Sequence, residues 1–290
     1  MHTPAMLSEV LDLLRPKPGE RFIDATVGFG GHAEALAARL VPGGCLLGLD
    51  CDEEALAAAR TRLGNLGGQV ELVHGNFRDI AEHAARAGFS GADGVLFDLG
   101  VSSFQVDTAR RGFSFAVEGP LDMRMDASGG TPAAELIRRI SAPELERILR
   151  EYGEERFARR IARAIVERRR ELRTTRDLAA LIERVVPWRE RRIHPATRCY
   201  QALRIATNDE LGALEGALAT LPRWLGPQGR VAIISWHSLE DRIVKQAFRA
   251  YERAGVVSVV TRKPVRPSAE EVEANPRSRS ARLRVAERSL

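Results

Sequence analysis

The sequence predicts an α/β fold, a parallel sheet with helices on both faces, interrupted by an inserted helical domain. Three observations predict it. Short apolar runs alternate with segments of helical period through the first hundred of the 290 residues. Four of those runs end in a polar residue, at Asp24, Asp50, Asn76 and Asp98. After about residue 107 the alternation gives way to an irregular stretch and then to Arg-rich helical sequence, and strand character returns only at Arg230.

Leu7, Val10, Leu11 and Leu14 recur at helical spacing, and Pro16 with Pro18-Gly19 ends that helix. Arg21 to Ala25 reads as a strand, Gly28 to Gly31 as a glycine turn, and His32 to Leu40 as a helix closed by Pro42-Gly43-Gly44. Cys45 to Leu49, Val70 to Val73 and Gly94 to Phe97 read as strands, separated by helices over Glu53–Leu63 and Ile80–Ala87. Gly112 to Gly130 shows no period, and Pro132 to Leu221 reads as helical. Arg230 to Ser235 is the next strand, followed by a helix from about Leu239 to Tyr251 and a strand at Val256–Val260. Pro264 to Arg279 reads as a loop, and Ala281 to Glu287 as a last strand. The expected organisation is one discontinuous domain, 1–107 with 206–290, carrying an inserted helical domain, 108–205.

Hydrophobic residues at 44% and charged residues at 29% fit a globular chain, and no apolar run approaches the 18 residues of a membrane span. The formal net charge is +5, unevenly spread. Between Arg138 and Arg204 lie nineteen Arg, no Lys and ten acids, a local excess of nine, which leaves the remainder at −4. Polyanion binding is the simplest use for such a block; a solvated face laced with i,i+4 ion pairs is the competing reading. Cys45, Cys51 and Cys199 form no CxxC pair, which argues against a disulfide framework or a zinc site and suits a reducing cytoplasm.

The segment Asp24 to His32 lies between a strand and a helix, and its glycines let a ligand approach bare backbone. The spacing is not that of a dinucleotide fingerprint, and no Lys or Arg stands in the loop to meet a pyrophosphate. That favours S-adenosylmethionine over NAD or ATP. Asp50 lies about twenty residues past Gly30, where a carboxylate can accept both ribose hydroxyls. Its alternative is a carboxylate at the start of the helix that follows. Phe77 could pack on an adenine or simply in the core.

These residues sit in longer words. Gly30-Gly31-His32, Asp98-Leu99-Gly100-Val101-Ser102-Ser103, Arg111-Gly112-Phe113-Ser114-Phe115 and Gly119-Pro120-Leu121-Asp122-Met123-Arg124-Met125-Asp126 are followed by Tyr152-Gly153-Glu154-Glu155, His194-Pro195-Ala196-Thr197-Arg198, Ser235 to Arg242 and Asn275 to Ser280. In order and along the whole chain, they resemble the RsmH (MraW) family of 16S rRNA cytidine N4-methyltransferases. The resemblance implies a Rossmann-like class I methyltransferase domain with an inserted helical, substrate-recognising domain. It implies methyl transfer from S-adenosylmethionine to the N4 amine of one cytidine in the decoding centre of 16S rRNA, with the 30S subunit as partner and the cytoplasm as location. The family's cofactor positions fall on Gly30, Gly31, His32, Asp50, Phe77, Asp98 and Gln105. Trp236 stands where relatives usually carry Phe, Cys199 stands where many carry Phe, and a longer insertion seen in some relatives is missing after Val260.

Asp98 ends the fourth strand, where exocyclic-amine methyltransferases present an acceptor to the amino hydrogens, and competes for that role with cofactor contact. His237 is a candidate proton carrier. Ser238-Leu239-Glu240-Asp241 reads as a capping box with Ser238 as N-cap and Asp241 at N3. Trp236 or Phe113 could stack on an extruded base. C5 methylation would need a cysteine nucleophile, and none of the three is suitably placed, so nitrogen methylation is expected. No metal is expected, because His194 and His237 lack partners at ligand spacing. DNA cytosine remains the alternative acceptor, and oligomeric state, monomer or homodimer, stays open.

Overall fold

The structure, a computed structural model, describes residues 4–187 and 194–290. It divides into two compact units, Met1–Gly100 with Leu211–Leu290, and Val101–Glu210. In chain order the elements are α1 (Leu7–Leu14), β1 (Arg21–Asp24), α2 (Gly31–Leu40), β2 (Cys45–Asp50), α3 (Glu53–Leu63), β3 (Val70–His74), α4 (Ile80–Arg86) and β4 (Ala92–Asp98). The second unit carries α5 (Ser103–Asp107), α6 (Ala133–Arg139), α7 (Ala142–Glu151), α8 (Ala158–Arg168), α9 (Thr175–Val185) and α10 (Ala196–Asn208). The chain continues with α11 (Glu210–Ala219), α12 (Leu221–Trp224), β5 (Leu225–Ser235), α13 (Ser238–Arg253), β6 (Val257–Val259), α14 (Ala269–Ala274) and β7 (Arg282–Arg288).

The larger unit is a seven-stranded sheet in the order β3-β2-β1-β4-β5-β7-β6. Strands β1 to β5 pair in parallel, and β7 runs antiparallel to both β5 and β6. Strand alternation divides the core by faces. Ile23, Leu47, Val95, Phe97 and Ile233 pack to one side with Trp224 and Phe248, while Phe22, Leu46, Leu96 and Ile234 pack to the other with Leu36 and Leu56. The chain moves outward from β1 through β2 to β3, then returns to the other flank of β1 with β4. The switch point therefore lies between β1 and β4, and in an open α/β sheet the ligand crevice opens there, beyond the strands' carboxyl ends.

The helical unit has its own core, in which Leu145, Leu149, Ile161, Ile165, Leu178, Ile182 and Leu203 are buried. Within it, Arg111 is buried and donates to the carbonyls of Arg124 and Met125, and Arg124 pairs with Asp122 at 2.8 Å. Asn208 accepts from the Met125 amide and donates to the Met123 carbonyl. The long word Gly119 to Asp126 is thus held as a hydrogen-bonded knot.

Two sequence expectations are corrected. The stretch Pro264–Arg279 is not all loop: Ser268 accepts from the Glu271 amide at 3.1 Å and starts α14. The capping box of α13 lies one residue earlier than expected, with His237 as N-cap and Glu240 at N3. Asp241 is instead drawn to Arg284, at 2.7 Å, and Arg282, at 3.4 Å.

Candidate active site

Three carboxyls gather at the carboxyl ends of β1, β2 and β4. Asp24 is buried, its Oδ1 accepting the Thr26 amide at 3.2 Å and its Oδ2 left without a hydrogen-bond partner. Thr26 Oγ1 in turn accepts the Asp98 amide at 2.6 Å, which ties the end of β4 to the turn after β1. Asp50 accepts from Gly28 N at 2.8 Å and from Asp52 N at 2.9 Å. It therefore anchors the glycine turn, where Gly28 and Gly30 take φ of +50° and +78°. The capping duty suspected for Asp50 falls to Asp52, which accepts the Glu54 amide.

Asp98 is surrounded most closely. Its Oδ1 accepts the indole N–H of Trp236 at 3.1 Å, and its Oδ2 lies 3.7 Å from His32 Nδ1. His32, on the first turn of α2, is itself held through Nε2 by the Ala5 carbonyl at 3.0 Å. Gly100 has φ +88°, and a Cβ there would come within 3.1 Å of the Trp236 ring, so glycine lets the chain turn beneath the indole.

Burial sets the protonation of all three. It pushes Asp24 up to about 8, helped by the neighbouring Asp98 and Asp50 charges and opposed by the Thr26 amide. It pushes Asp50 up to about 6 against the amides of Asp52 and Gly28. It pushes Asp98 up to about 7, with Glu240 adding repulsion and the Trp236 hydrogen bond working the other way. Titratable groups moved this far in one crevice are the signature of a functional site.

His237 takes an unexpected position. Its Nδ1 accepts the Glu240 amide at 3.4 Å, while Glu240 Oε2 accepts the amides of Trp236 at 2.7 Å and His237 at 3.2 Å. His237 Nε2 lies 3.2 Å from Glu240 Oε1 without an aligned hydrogen bond. With Nδ1 committed as acceptor, the hydrogen-bond network puts the ring proton on Nε2. Phe77 packs edge-to-face on Phe97 at 5.7 Å and is only half-buried. Gln105 belongs to the helical unit, where its side chain closes a capping box with Ser102 at 3.0 Å. Phe113 packs partly on the helical core.

The larger unit thus brings together Gly30, Gly31, His32, Asp50 and Asp98 of the expected cofactor residues. Thr26, Glu240 and the unpartnered oxygen of Asp24 were not singled out from sequence. Asp24 had a signal, a polar residue ending an apolar run. Thr26 had none, because its value lies in a contact with the distant end of β4, whereas Glu240 acts locally, three residues after His237, and could be found only as part of a capping box.

The donor set fits S-adenosylmethionine. A buried acceptor without a partner, amid mutually repelling carboxyls, suits a ligand bearing positive charge at its sulfonium and ammonium. Asp50, fixed beside the glycine turn, retains lone pairs for ribose hydroxyls. A phosphate-bearing cofactor would meet the wrong sign of charge.

Fold and site define a Rossmann-like S-adenosylmethionine-dependent methyltransferase. The pattern of the MraW methylase family matches residues 1–289, and the chain belongs to that family. Ribosomal RNA small subunit methyltransferase H of Syntrophotalea carbinolica is 51% identical, over 99% of this chain and 98% of that protein. The protein of the same name from Pelobacter propionicus is 50% identical over the same shares. Among solved structures, a candidate rRNA-methylase from Clostridium thermocellum superposes with a TM-score of 0.50 at 13% identity, covering 99% of this chain and 100% of that one, which is a likeness of fold.

Proposed function

We propose that the protein methylates the exocyclic N4 amine of a cytidine in the decoding centre of 16S rRNA, acting on the 30S subunit in the cytoplasm, with Asp98 as the acceptor for the amine hydrogens. The relatives' names support ribosomal RNA of the small subunit as substrate. The observation that carries the role of Asp98 is its setting: a carboxyl at the switch point, fixed by Thr26 and Trp236 and held near 7 by burial.

When bound, S-adenosylmethionine supplies an electrophilic methyl group. Asp24 would neutralise its positive end, Asp50 would hold its ribose, and the glycine turn with His32 would line its path. Phe77 would pack on the adenine. The cytosine amine is a weak nucleophile because its lone pair is delocalised into the ring. An ionised Asp98 accepting from the amine favours the pyramidal nitrogen and takes the proton released as nitrogen gains the methyl. His237 acts by position: accepting a proton at Nδ1 would break the cap of α13, so the ring and Glu240 instead fix the Trp236 backbone. Trp236 would stack on the target base while donating to Asp98.

The helical unit, 101–210, would recognise RNA. On α8, Arg159, Arg160 and Arg163 are exposed and have no ion pair among the described residues. Arg189, Arg191 and Arg192 of the basic block lie outside the described residues.

The test is incubation with labelled S-adenosylmethionine and 30S subunits lacking the modification, followed by nucleoside mass spectrometry. N4-methylcytidine at one site, reduced at least a hundredfold in Asp98→Asn with cofactor binding retained, is expected. Label at cytosine C5 or on ribose, or an Asp98→Asn variant of full activity, would sink the reading.

A further inference from the structure

A second concentration of positive charge lies in the methyltransferase unit itself. Between residues 242 and 266 stand seven Lys or Arg and one acid, Glu252. The structure gathers part of this run around a depression of about 340 Å³ lined by Lys245, Phe248, Arg249, Glu252, Val259, Arg262 and Arg284. Lys245, Arg249 and Glu252 share one face of α13 at i, i+4 and i+7, with buried Phe248 between them. Arg262 comes from the turn after β6.

The pairing state of these charges is what matters. Arg284 is neutralised by Asp241 at 2.7 Å. Glu252, itself exposed, accepts the Val259 amide at 3.2 Å. Lys245, Arg249, Arg253, Arg262, Lys263 and Arg266 have no ion pair among the described residues. A cation at a helix C-terminus can be explained by the helix dipole, and one beside an edge strand by protection from sheet extension. Neither explains unpaired cations from α13 and the β6 turn converging on one depression, where they repel one another unless an anion enters.

The position of the helix selects the anion. α13 begins at Ser238, directly after Trp236 and His237 of the active site. At 1.5 Å per residue, Lys245, Arg249 and Arg253 stand roughly 10, 16 and 22 Å along the helix from that point. A track of charge leading away from the site suits a polymer of phosphates rather than one small anion.

We propose that the face formed by α13 and the turn after β6 binds the RNA phosphate backbone flanking the target nucleotide, with the depression seating one phosphate. This rests on the reading that RNA is the substrate. The wild-type chain would hold its RNA by basic surfaces on both units, and this one would contribute to binding rather than to the chemical step.

The experiment measures binding of the full-length protein to a single-stranded rRNA fragment carrying the target, by fluorescence anisotropy from low to moderate salt. For Lys245→Gln/Arg249→Gln/Arg262→Gln, affinity at low salt should fall roughly tenfold or more, and the slope of log K against log salt should shrink by about two, as for three phosphate contacts on a single strand. KM for RNA should rise with kcat and S-adenosylmethionine affinity unchanged, which separates lost contacts from misfolding. Glu252→Gln keeps an acceptor for the Val259 amide and removes the one acid, so it should bind RNA two- to threefold more tightly, a gain that misfolding cannot mimic. Wild-type affinity and slope in both variants would overturn the proposal, as would a fall in kcat with KM unchanged. A wild-type protein that neither binds nor methylates rRNA would instead defeat the functional reading itself.

Discussion

Replacing Asp24 by Asn should stabilise the ligand-free protein at high pH and weaken its hold on S-adenosylmethionine. Asp24 is 1% exposed, one of its oxygens has no partner, and burial moves its carboxyl from 3.8 to about 8. Between those two values the folded chain holds a proton that the unfolded chain has released. Stability contributed at this position is therefore fully present below pH 4 and is lost as pH rises towards 8. At about 1.4 kcal/mol per pH unit, the ceiling of the loss is on the order of 5 kcal/mol. Asp98 and Asp50 repel Asp24 and titrate in the same range, so about half of that ceiling is expected from one substitution. Asn keeps an oxygen for the Thr26 amide and carries no charge. Urea unfolding of both proteins without cofactor should give near-equal stabilities at pH 4.5 and a gap of roughly 2–3 kcal/mol in favour of Asp24→Asn at pH 8.5. Calorimetry should show weaker S-adenosylmethionine binding by the variant, because the ionised carboxylate no longer meets a cation. A stability difference that does not change with pH would refute the reasoning, since a purely steric effect has no such slope.

Trp236→Phe removes the indole hydrogen bond that holds Asp98 down, so its carboxyl should rise above 7 and the acid limb of the kcat profile should move to higher pH. An unmoved limb would separate Asp98 from the proton transfer. Gly100→Ala forces a Cβ into a left-handed backbone with the Trp236 ring 3.1 Å away, at a cost of about 1–3 kcal/mol by chemical denaturation. Asp241→Ala strands the guanidinium of Arg284, which is 5% exposed, and should cost about 3 kcal/mol, where a loss under 1 kcal/mol would show that Arg282 and Arg284 find other partners.

The α/β frame was legible because its strands are short apolar runs bounded by Gly, Pro and acids. Each such run in the sequence became a strand with ends displaced by a residue or two, apart from β5. That strand begins at Leu225, ahead of the expected Arg230, and runs through Gly226-Pro227-Gln228-Gly229, whose Gly and Pro disfavour a strand interior. Pairing of Ala92 with Leu225 across a register shift holds it in the sheet, and such a tertiary constraint leaves no mark on local composition. The displaced capping box teaches the same lesson more sharply. Ser238 and Asp241 have the better intrinsic cap chemistry. His237 takes the cap while Arg282 and Arg284, some forty residues later, pair with Asp241, and Glu240 accepts the amides of Trp236 and His237 before the helix.

Charge is where sequence and structure diverge most usefully. The Arg-rich stretch between 138 and 204 dominates any count, yet several of its cations are already answered: Arg138 and Arg139 by Glu135, Arg147 by Glu151, Arg150 by Glu146 and Arg204 by Glu210. The run from 242 to 266 is shorter and is masked in the chain total by the acids around it. An exposed ion pair returns little stability and cancels the field that would draw in a polyanion. Two surfaces of equal composition can therefore differ in what they bind, according to how many of their cations have local acids at i±3 or i±4. By that criterion α7 pairs Arg147 and Arg150 with its own glutamates, whereas Arg159, Arg160 and Arg163 of α8 and Lys245 and Arg249 of α13 have no ion pair among the described residues. Exchanging the two kinds should be unequal in effect: Arg147→Gln/Arg150→Gln on α7 should leave the salt slope of RNA binding near that of the wild type, whereas Arg159→Gln/Arg163→Gln on α8 should lower it by about one to one and a half. Equal slopes for the two pairs would mean that local ion pairing does not govern which cations reach the RNA.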